Sequence, residues 1–496
     1  MPAPGRPGSL WIETAAELAF PALSGRASAD VAVVGAGIAG LAAALALQAD
    51  GADVAIVELS KVGEGVTGHT TGKVTALHGL AYDKVASKFG DDGARAYAEA
   101  NSWGLARVEE LAAGGIDCDL ERLPTITYAD RDEDVTAIER EVEAANRAGL
   151  AATYVESTDL PYPIKAGVRV EQGAAINAAK LCQGMAARFV AAGGRIYEGT
   201  RAVGVDEGSP CSVRCDGGEL VAESVVLATN IPFLDRDLFF ARTSPHRSYC
   251  IAFETANPVH GMYINASAPT RSLRPAPVAG AELIVLGGEG HKVGQADNHT
   301  GSYERLAQFA TTHFPDAEFR WRWSSQDYIP ADDVPYIGRL RDRVYVATGM
   351  KKWGLAHGLV AGRIFADLAA GRESPWAELY DPTRIKPRAS ALKLIEENLN
   401  VAKRFLLDRL RWRGGLDEVA PGSGRVIGRG RRQLAVYRDE AGAAIALSAR
   451  CTHLGCIVAW NDAEHTWDCP CHGSRFDVEG RVVNGPATSD LERAEL

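Results

Sequence analysis

Val31-Ala32-Val33-Val34-Gly35-Ala36-Gly37-Ile38-Ala39-Gly40 begins as a β-branched apolar run, turns on glycines and leads into an Ala/Leu-rich stretch that continues to Gln48. Val54 to Val57 then reads as a second strand, ending at Glu58. Glycines spaced G-x-G-x-x-G are weak evidence alone. Strand, glycines, helix, strand and acid in this order complete a βαβ dinucleotide fingerprint, and a tight turn without a nucleotide is the simpler alternative. The glycines let the backbone approach a pyrophosphate at the helix N-terminus, where unpaired N–H groups and the dipole favour an anion. Gly35, Ala36, Gly37, Ile38, Ala39 and Gly40 are therefore expected to bind the cofactor, with Glu58 accepting hydrogen bonds from a ribose.

The fingerprint does not separate NAD from FAD, but residues downstream do. Glu64-Gly65-Val66-Thr67-Gly68-His69-Thr70-Thr71-Gly72 resembles the small, hydroxyl-rich segment that follows the acid in the D-amino acid oxidase and glycine oxidase family. Val225 to Thr229 resembles that family's second strand motif, and Asp333 to Gly338 with Val344 to Gly349 resembles its C-terminal flavin motif. These matches run in family order from residue 30 to about 370. The resemblance implies FAD, held also by Thr67, His69, Thr70, Thr71, Val203, Gly349 and Gly354. Thr67 to Gly72 further resembles the segment bearing a flavin-linked His in dimethylglycine and sarcosine dehydrogenases, which makes His69 a candidate for a covalent bond to FAD.

A second cofactor is written near the C-terminus, in Cys451-Thr452-His453-Leu454-Gly455-Cys456 and Cys469-Pro470-Cys471-His472-Gly473-Ser474. A Cys2His2 zinc site uses the same ligand types, but usually takes two Cys from one short loop and two His from another. Here each loop supplies one of each. The spacing resembles a Rieske centre, in which two thiolates hold one iron of a [2Fe–2S] cluster and two imidazoles the other. The resemblance implies Cys451 and Cys469 on one iron and His453 and His472 on the other. It also implies a disulfide between Cys456 and Cys471, as in Rieske proteins of the cytochrome bc type. The other five cysteines show no ligand spacing; Cys211 and Cys215, in one apparent strand, would stand roughly 13 Å apart, too far for a bridge.

A chain of 496 residues suits about three domains. A formal charge of −11 disfavours nucleic acid or an anionic membrane as a partner. No apolar run is long enough for a membrane helix, and the N-terminus lacks an apolar signal core, so the expected location is cytoplasmic. A cytosolic disulfide is then an exception, protected by burial.

The expected fold is an α/β FAD-binding Rossmann-like domain with an α+β substrate domain, followed by a small all-β Rieske domain. Residues 1–29 read as a loose arm. FAD parts are expected at about 30–80, 165–240 and 325–385, with a substrate domain at about 81–164 and 241–324. A linker helix from Ala389 to Arg413, within 386–413, carries an apolar stripe at Leu392, Ile395, Leu399, Ala402, Leu406 and Leu410, read as a face packed on the FAD domain, with membrane binding as the alternative. The Rieske domain spans 414–496. Gly422 to Gly428 reads as a loop, with neither the spacing nor the preceding strand of a second nucleotide site.

Flavin accepts a hydride as two electrons and a cluster passes one at a time. The resemblance implies oxidation of an amino acid or amine at a C–N bond. The added cluster suggests a dehydrogenase that sends electrons to a ferredoxin, a cytochrome or a quinone. Reverse flow to a flavin reductase site and a non-catalytic redox sensor are the alternatives, and the scattered histidines lack the ligand motif of a Rieske oxygenase. No motif selects the catalytic residues. Lys351, Lys352, Trp353, His357, Tyr249, His291 and Lys292 are candidates to face the flavin, and Arg247 and Arg274 to hold a substrate carboxylate.

Overall fold

In a computed structural model, residues 3–496 are described apart from 235–236, 279, 386, 411–413 and 430–431. The apolar run at Val31–Val34 ends the strand Gly25–Val34, which lies between Val54–Val57 and Gly218–Leu227 and is parallel to both. All four residues are buried, as expected of a strand covered on both faces. Val34 pairs with Val57 and Leu227, and Leu227 with Val346 of Val344–Thr348, so four carboxyl ends come level along one edge. The helix Ile38–Ala49 covers this sheet and packs on Gly354–Ala369. Their contact needs glycine: a Cβ on Gly362 would lie 2.6 Å from the Ala42 carbonyl group.

Among the described residues, a second sheet has nine strands, with the long strands Thr243–Glu254, Leu283–Lys292 and Glu318–Pro330 side by side. Ala166–Val170 and the end of Glu318–Pro330 pair within this sheet, although their positions suggested the FAD parts. A β-branched run shows that a strand forms but not which sheet receives it. The N-terminal segment is not loose. Arg6–Pro7 adds to the edge of the nine-stranded sheet and Leu10 and Trp11 are buried. Trp11 Nε1 donates to the Thr70 carbonyl at 2.7 Å, so this segment pins the loop that carries Thr67 to Thr71.

The helix Pro387–Leu410 leads into the Rieske domain. The expected end of that helix at Arg413, and the side chains of Leu392 and Leu410, lie outside the described residues. Ile395, Leu399 and Leu406 are 58%, 64% and 62% exposed, so the stripe is not the packed face that its periodicity suggests. The Rieske domain consists of a three-stranded and a four-stranded antiparallel sheet. Ser423–Arg429, expected to be a loop, is a strand paired with Arg432–Arg438; its glycines face a partner strand and the Trp460 ring.

The two-helix contact makes a specific stability prediction. Gly362→Val should lower stability by about 1–3 kcal/mol through overpacking against the Ala42 backbone, measured by thermal or urea unfolding of the holoprotein.

Candidate functional site

Ligands of open parallel sheets bind beyond the carboxyl ends of the strands. At that edge Gly35 follows Val34, Glu58 follows Val57, Ala228 follows Leu227, and Met350 lies just beyond Thr348; all four line a cavity of about 1080 Å³. Gly37, Ile38, Ala39, Thr67, His69, Thr70, Thr71 and Gly354 also line it. Ala36 is buried behind the turn, and Gly40 packs on it: a Cβ on Gly40 would lie 1.8 Å from the Gly35 carbonyl oxygen. Gly349 (φ +71°) packs against Pro330 beside Met350, and Val203 sits next to the lining residue Ala202, so neither of these two lines the cavity itself.

The nucleotide end has the donor and acceptor set that a dinucleotide requires. Glu58 accepts from Ala36 N–H at 2.7 Å and Ser60 N–H at 2.9 Å, while burial raises its pKa against these bonds. Thr67 Oγ1 accepts from Ile38 N–H at 3.2 Å, tying the hydroxyl-rich segment to the helix N-terminus. His69 Nδ1 lies 2.9 Å from the Gly65 carbonyl oxygen, to which it donates. The acid, the glycine turn and the hydroxyl-rich segment together fit FAD.

The opposite end is polar and rich in lysine. Lys73 donates to the Tyr263 carbonyl at 3.0 Å and to Ser272 Oγ, and has no carboxylate partner among the described residues. Burial, and secondly the nearby Arg274, bring its pKa down to about 7. Lys352 Nζ donates to Ser248 Oγ at 2.8 Å, and its backbone N–H donates to Asp327. Burial raises Asp327 to about 6 against that bond. Lys351, Trp353 and Tyr249 line the cavity, whereas His357, His291 and Lys292 do not. Nor do the two candidate arginines: Arg247 is buried with Ser324 and Asp468, and Arg274 lies 4.4 Å over the Trp11 ring. Lys73 and Asp327 escaped the sequence reading because no motif distinguishes a buried lysine or aspartate from a surface one.

The remaining wall comes from the Rieske domain, through Arg475, Val482, Asn484, Gly485 and Ala487 among others. In that domain the two loops are closed by Cys451 N–H to Cys456 O at 2.8 Å and Cys469 N–H to Ser474 O at 2.8 Å. Cys451 and Cys469 are buried, free and hydrogen-bonded to each other. The His453 and His472 rings stand 5.0 Å apart. His472 Nδ1 is buried without a hydrogen-bond partner, and burial, then His453, lowers the ring's pKa to about 3, so it is a neutral donor. Cys456 and Cys471 form a disulfide with their Cα atoms 6.5 Å apart. A tighter group of sulfurs, Cys456, Cys469 and Cys471 within 4.8 Å, includes both bridged cysteines, which offer no thiolate. Two free thiols opposite two imidazoles fit a [2Fe–2S] centre of Rieske type.

Comparison with known proteins agrees over nearly the whole chain. Residues 30–368 match the family model of FAD dependent oxidoreductases, and residues 414–495 match the Rieske [2Fe-2S] domain. The Bacillus subtilis protein YhfW, named as a Rieske 2Fe-2S iron-sulfur protein, is 33% identical over 99% of this chain and 98% of its own length. A 61-residue stretch is 51% identical to the chloroplast cytochrome b6-f complex iron-sulfur subunit of Arabidopsis thaliana, covering 12% of this chain and 27% of that one. Among solved structures, glycine oxidase from Geobacillus kaustophilus superposes with a TM-score of 0.61 at 21% identity over 72% of this chain and 99% of its own. L-proline dehydrogenase from P. horikoshii does so with a TM-score of 0.60 at 18% identity over 74% and 98%. At these identities the likeness shows the fold. The protein is an enzyme whose cofactors are FAD and one Rieske [2Fe–2S] cluster. The chain belongs to the FAD dependent oxidoreductase family of the D-amino acid oxidase type, extended at its C-terminus by a Rieske domain.

Proposed function

We propose that this enzyme oxidises an amino acid or amine at a C–N bond and delivers the electrons singly to an external one-electron acceptor, such as a ferredoxin, a cytochrome or a quinone. The observation that carries this reading is the shared cavity: one compartment is bounded by nucleotide-binding turns, a lysine-rich floor and the Rieske domain. FAD would supply two-electron hydride acceptance and the cluster one-electron transfer. Fold neighbours named as a glycine oxidase and a proline dehydrogenase support an amino-acid substrate.

Gly35, Gly37, Ile38, Ala39, Glu58, Thr67, His69, Thr70, Thr71 and Gly354 are assigned to FAD, with Ala36, Gly40, Val203 and Gly349 shaping the turns behind them, and Cys451, His453, Cys469 and His472 are assigned to the cluster. Lys73 and Lys352 are assigned to the substrate end, where a buried positive charge attracts a carboxylate. Asp327 holds the Lys352 backbone, and Lys352 Nζ reaches Ser248 Oγ on the cavity lining. A cytoplasmic location agrees with the buried free cysteines Cys118, Cys182, Cys211 and Cys250, while Cys456 and Cys471 are shielded at 2% and 3% exposure. Among the described residues, no helix is long and apolar enough to cross a membrane.

Three outcomes test the reading. Purified protein should hold FAD with about two irons and two acid-labile sulfides per chain, and Cys451→Ser or His453→Ala should remove the iron signal while FAD absorbance stays. Zinc in place of iron would refute the ligand assignment. In Cys469→Ser, substrates from a panel of amines and amino acids should still bleach the flavin, while turnover with a one-electron acceptor falls roughly tenfold or more. Loss in that variant of flavin reduction by an external one-electron carrier, with the reaction of reduced flavin and an oxidised substrate intact, would favour electron flow in the reverse direction.

The third outcome concerns pH. Lys73 is held below its ordinary pKa, at about 7, so it is charged below that pH and neutral above it. Affinity for a carboxylate-bearing substrate, read from flavin bleaching, should therefore fall as pH rises through about 7, and Lys73→Met should flatten the profile. The same shift affects stability: between about 7 and the unfolded value of 10.5 the unfolded chain binds the extra proton. Stability from this group accordingly rises with pH across that window.

A further inference from the structure

The contact between the cluster loop and the flavin cavity has an unusual construction. Tyr328 is fully buried at the end of the strand Glu318–Pro330, and its Oη lies 3.2 Å from the carbonyl oxygen of His472 and 3.3 Å from that of Gly485. One hydroxyl proton is thus shared between a proposed cluster ligand and a residue of the cavity wall. Gln326, which lines the cavity, donates from Nε2 to the Gly473 carbonyl at 2.7 Å and to Tyr328 Oη at 3.2 Å. The fit is close enough to exclude a side chain at Gly473. A Cβ there would stand 2.6 Å from Pro245 Cβ, 2.7 Å from Gln326 Nε2 and 2.8 Å from Tyr328 Oη.

The seam also closes over charge. Arg247 of the substrate domain faces Asp468 of the Rieske domain at 3.7 Å, both side chains 1% exposed. Separating the domains would leave both without a partner on the other side, and each is costly to leave unpaired. Phe240 caps the cluster side, its ring 4.8 Å from His472 and 5.1 Å from His453.

We propose that the Rieske domain is a fixed wall of the flavin cavity and not a swinging carrier, and that Tyr328 is the positioning residue that locks the His472–Gly473 turn to that wall. This rests on the electron route proposed above and adds to it where transfer occurs, which is within one chain and in the docked state. Each transfer removes one electron from reduced FAD and converts one ferric iron of the cluster to ferrous. Two transfers, with the flavin's proton passing to solvent, return FAD to its oxidised form, the external acceptor re-oxidising the cluster between them.

The test uses the full-length holoprotein and needs no substrate. FAD is photoreduced by a light flash, with EDTA as the sacrificial electron donor, in the wild type and in Tyr328→Phe, and cluster bleaching is followed over a range of protein concentrations. Hydrogen exchange of residues 472–488 is measured on the same samples. The wild-type transfer rate should be independent of protein concentration, with 472–488 protected. Tyr328→Phe should keep its FAD and its cluster spectrum, while exchange of 472–488 rises and transfer slows, each about tenfold. Gly473→Ala, which pushes on the same turn from the Rieske side, should move both readouts in the same direction. A wild-type rate proportional to concentration would overturn the proposal, as would wild-type exchange and transfer in both variants. Protected 472–488 with no transfer at all would remove the electron route yet leave the fixed wall standing.

Discussion

The level carboxyl ends of the parallel strands Gly25–Val34, Val54–Val57, Gly218–Leu227 and Val344–Thr348 are the constraint on which the rest depends. Register in a parallel sheet is set by hydrogen bonds along every strand. Aligning Val34 with Val57 and Leu227 therefore places Gly35, Glu58 and Ala228 around one space. The helix behind Gly35 can start there only because Gly40 lets it approach the turn, and it stays seated because Gly362 admits the facing helix. These two glycines are structural requirements, since neither lines the cavity itself.

Around that space three parts of the chain that are distant in sequence meet. The N-terminal segment pins the hydroxyl-rich loop through Trp11 and Thr70, the oxidoreductase part of the chain brings Lys73, Lys352 and Asp327 to the cavity from three separate sheets and their loops, and the Rieske domain closes the wall. The last junction buries charge. Burying Arg247 and Asp468 costs desolvation that their attraction offsets only while both are present, and losing one partner of such a pair typically costs about 3–5 kcal/mol. Arg475 lies at the same seam, its Nε 3.2 Å from Asp468 and its side chain against the cavity. A network of this kind favours one docked arrangement over many.

The free and bridged cysteines divide along similar lines. Cys456 and Cys471 tie the two cluster loops together, leaving Cys451 and Cys469 as the buried thiols that face the imidazoles. The bridge thus fixes the geometry of the loops while the free thiols stay available as ligands. Phe240, from outside the Rieske domain, completes the surroundings of both histidines, so even the cluster's environment is not wholly local.

What the sequence determined by itself is what depends on short spacing. The turn from Val34 to Gly40, the acid at Glu58, the loop from Thr67 to Thr71 and the paired Cys/His loops are each contiguous, and each function follows from groups a few residues apart. The tertiary structure alone decided what depends on distant pairing. It put Ala166–Val170 in the nine-stranded sheet, joined Ser9 and Trp11 to the loop from Thr67 to Thr71, made a strand of Ser423–Arg429 and left Ile395, Leu399 and Leu406 exposed. It also turned Arg247 toward Asp468 and away from the cavity, and brought Lys73 and Lys352 to the floor instead. A side chain's type and its neighbours in sequence say how it is charged and what element it joins. Which partner it meets across the fold is set by the packing of whole sheets, whose free energy is spread over many residues and is written in no single motif.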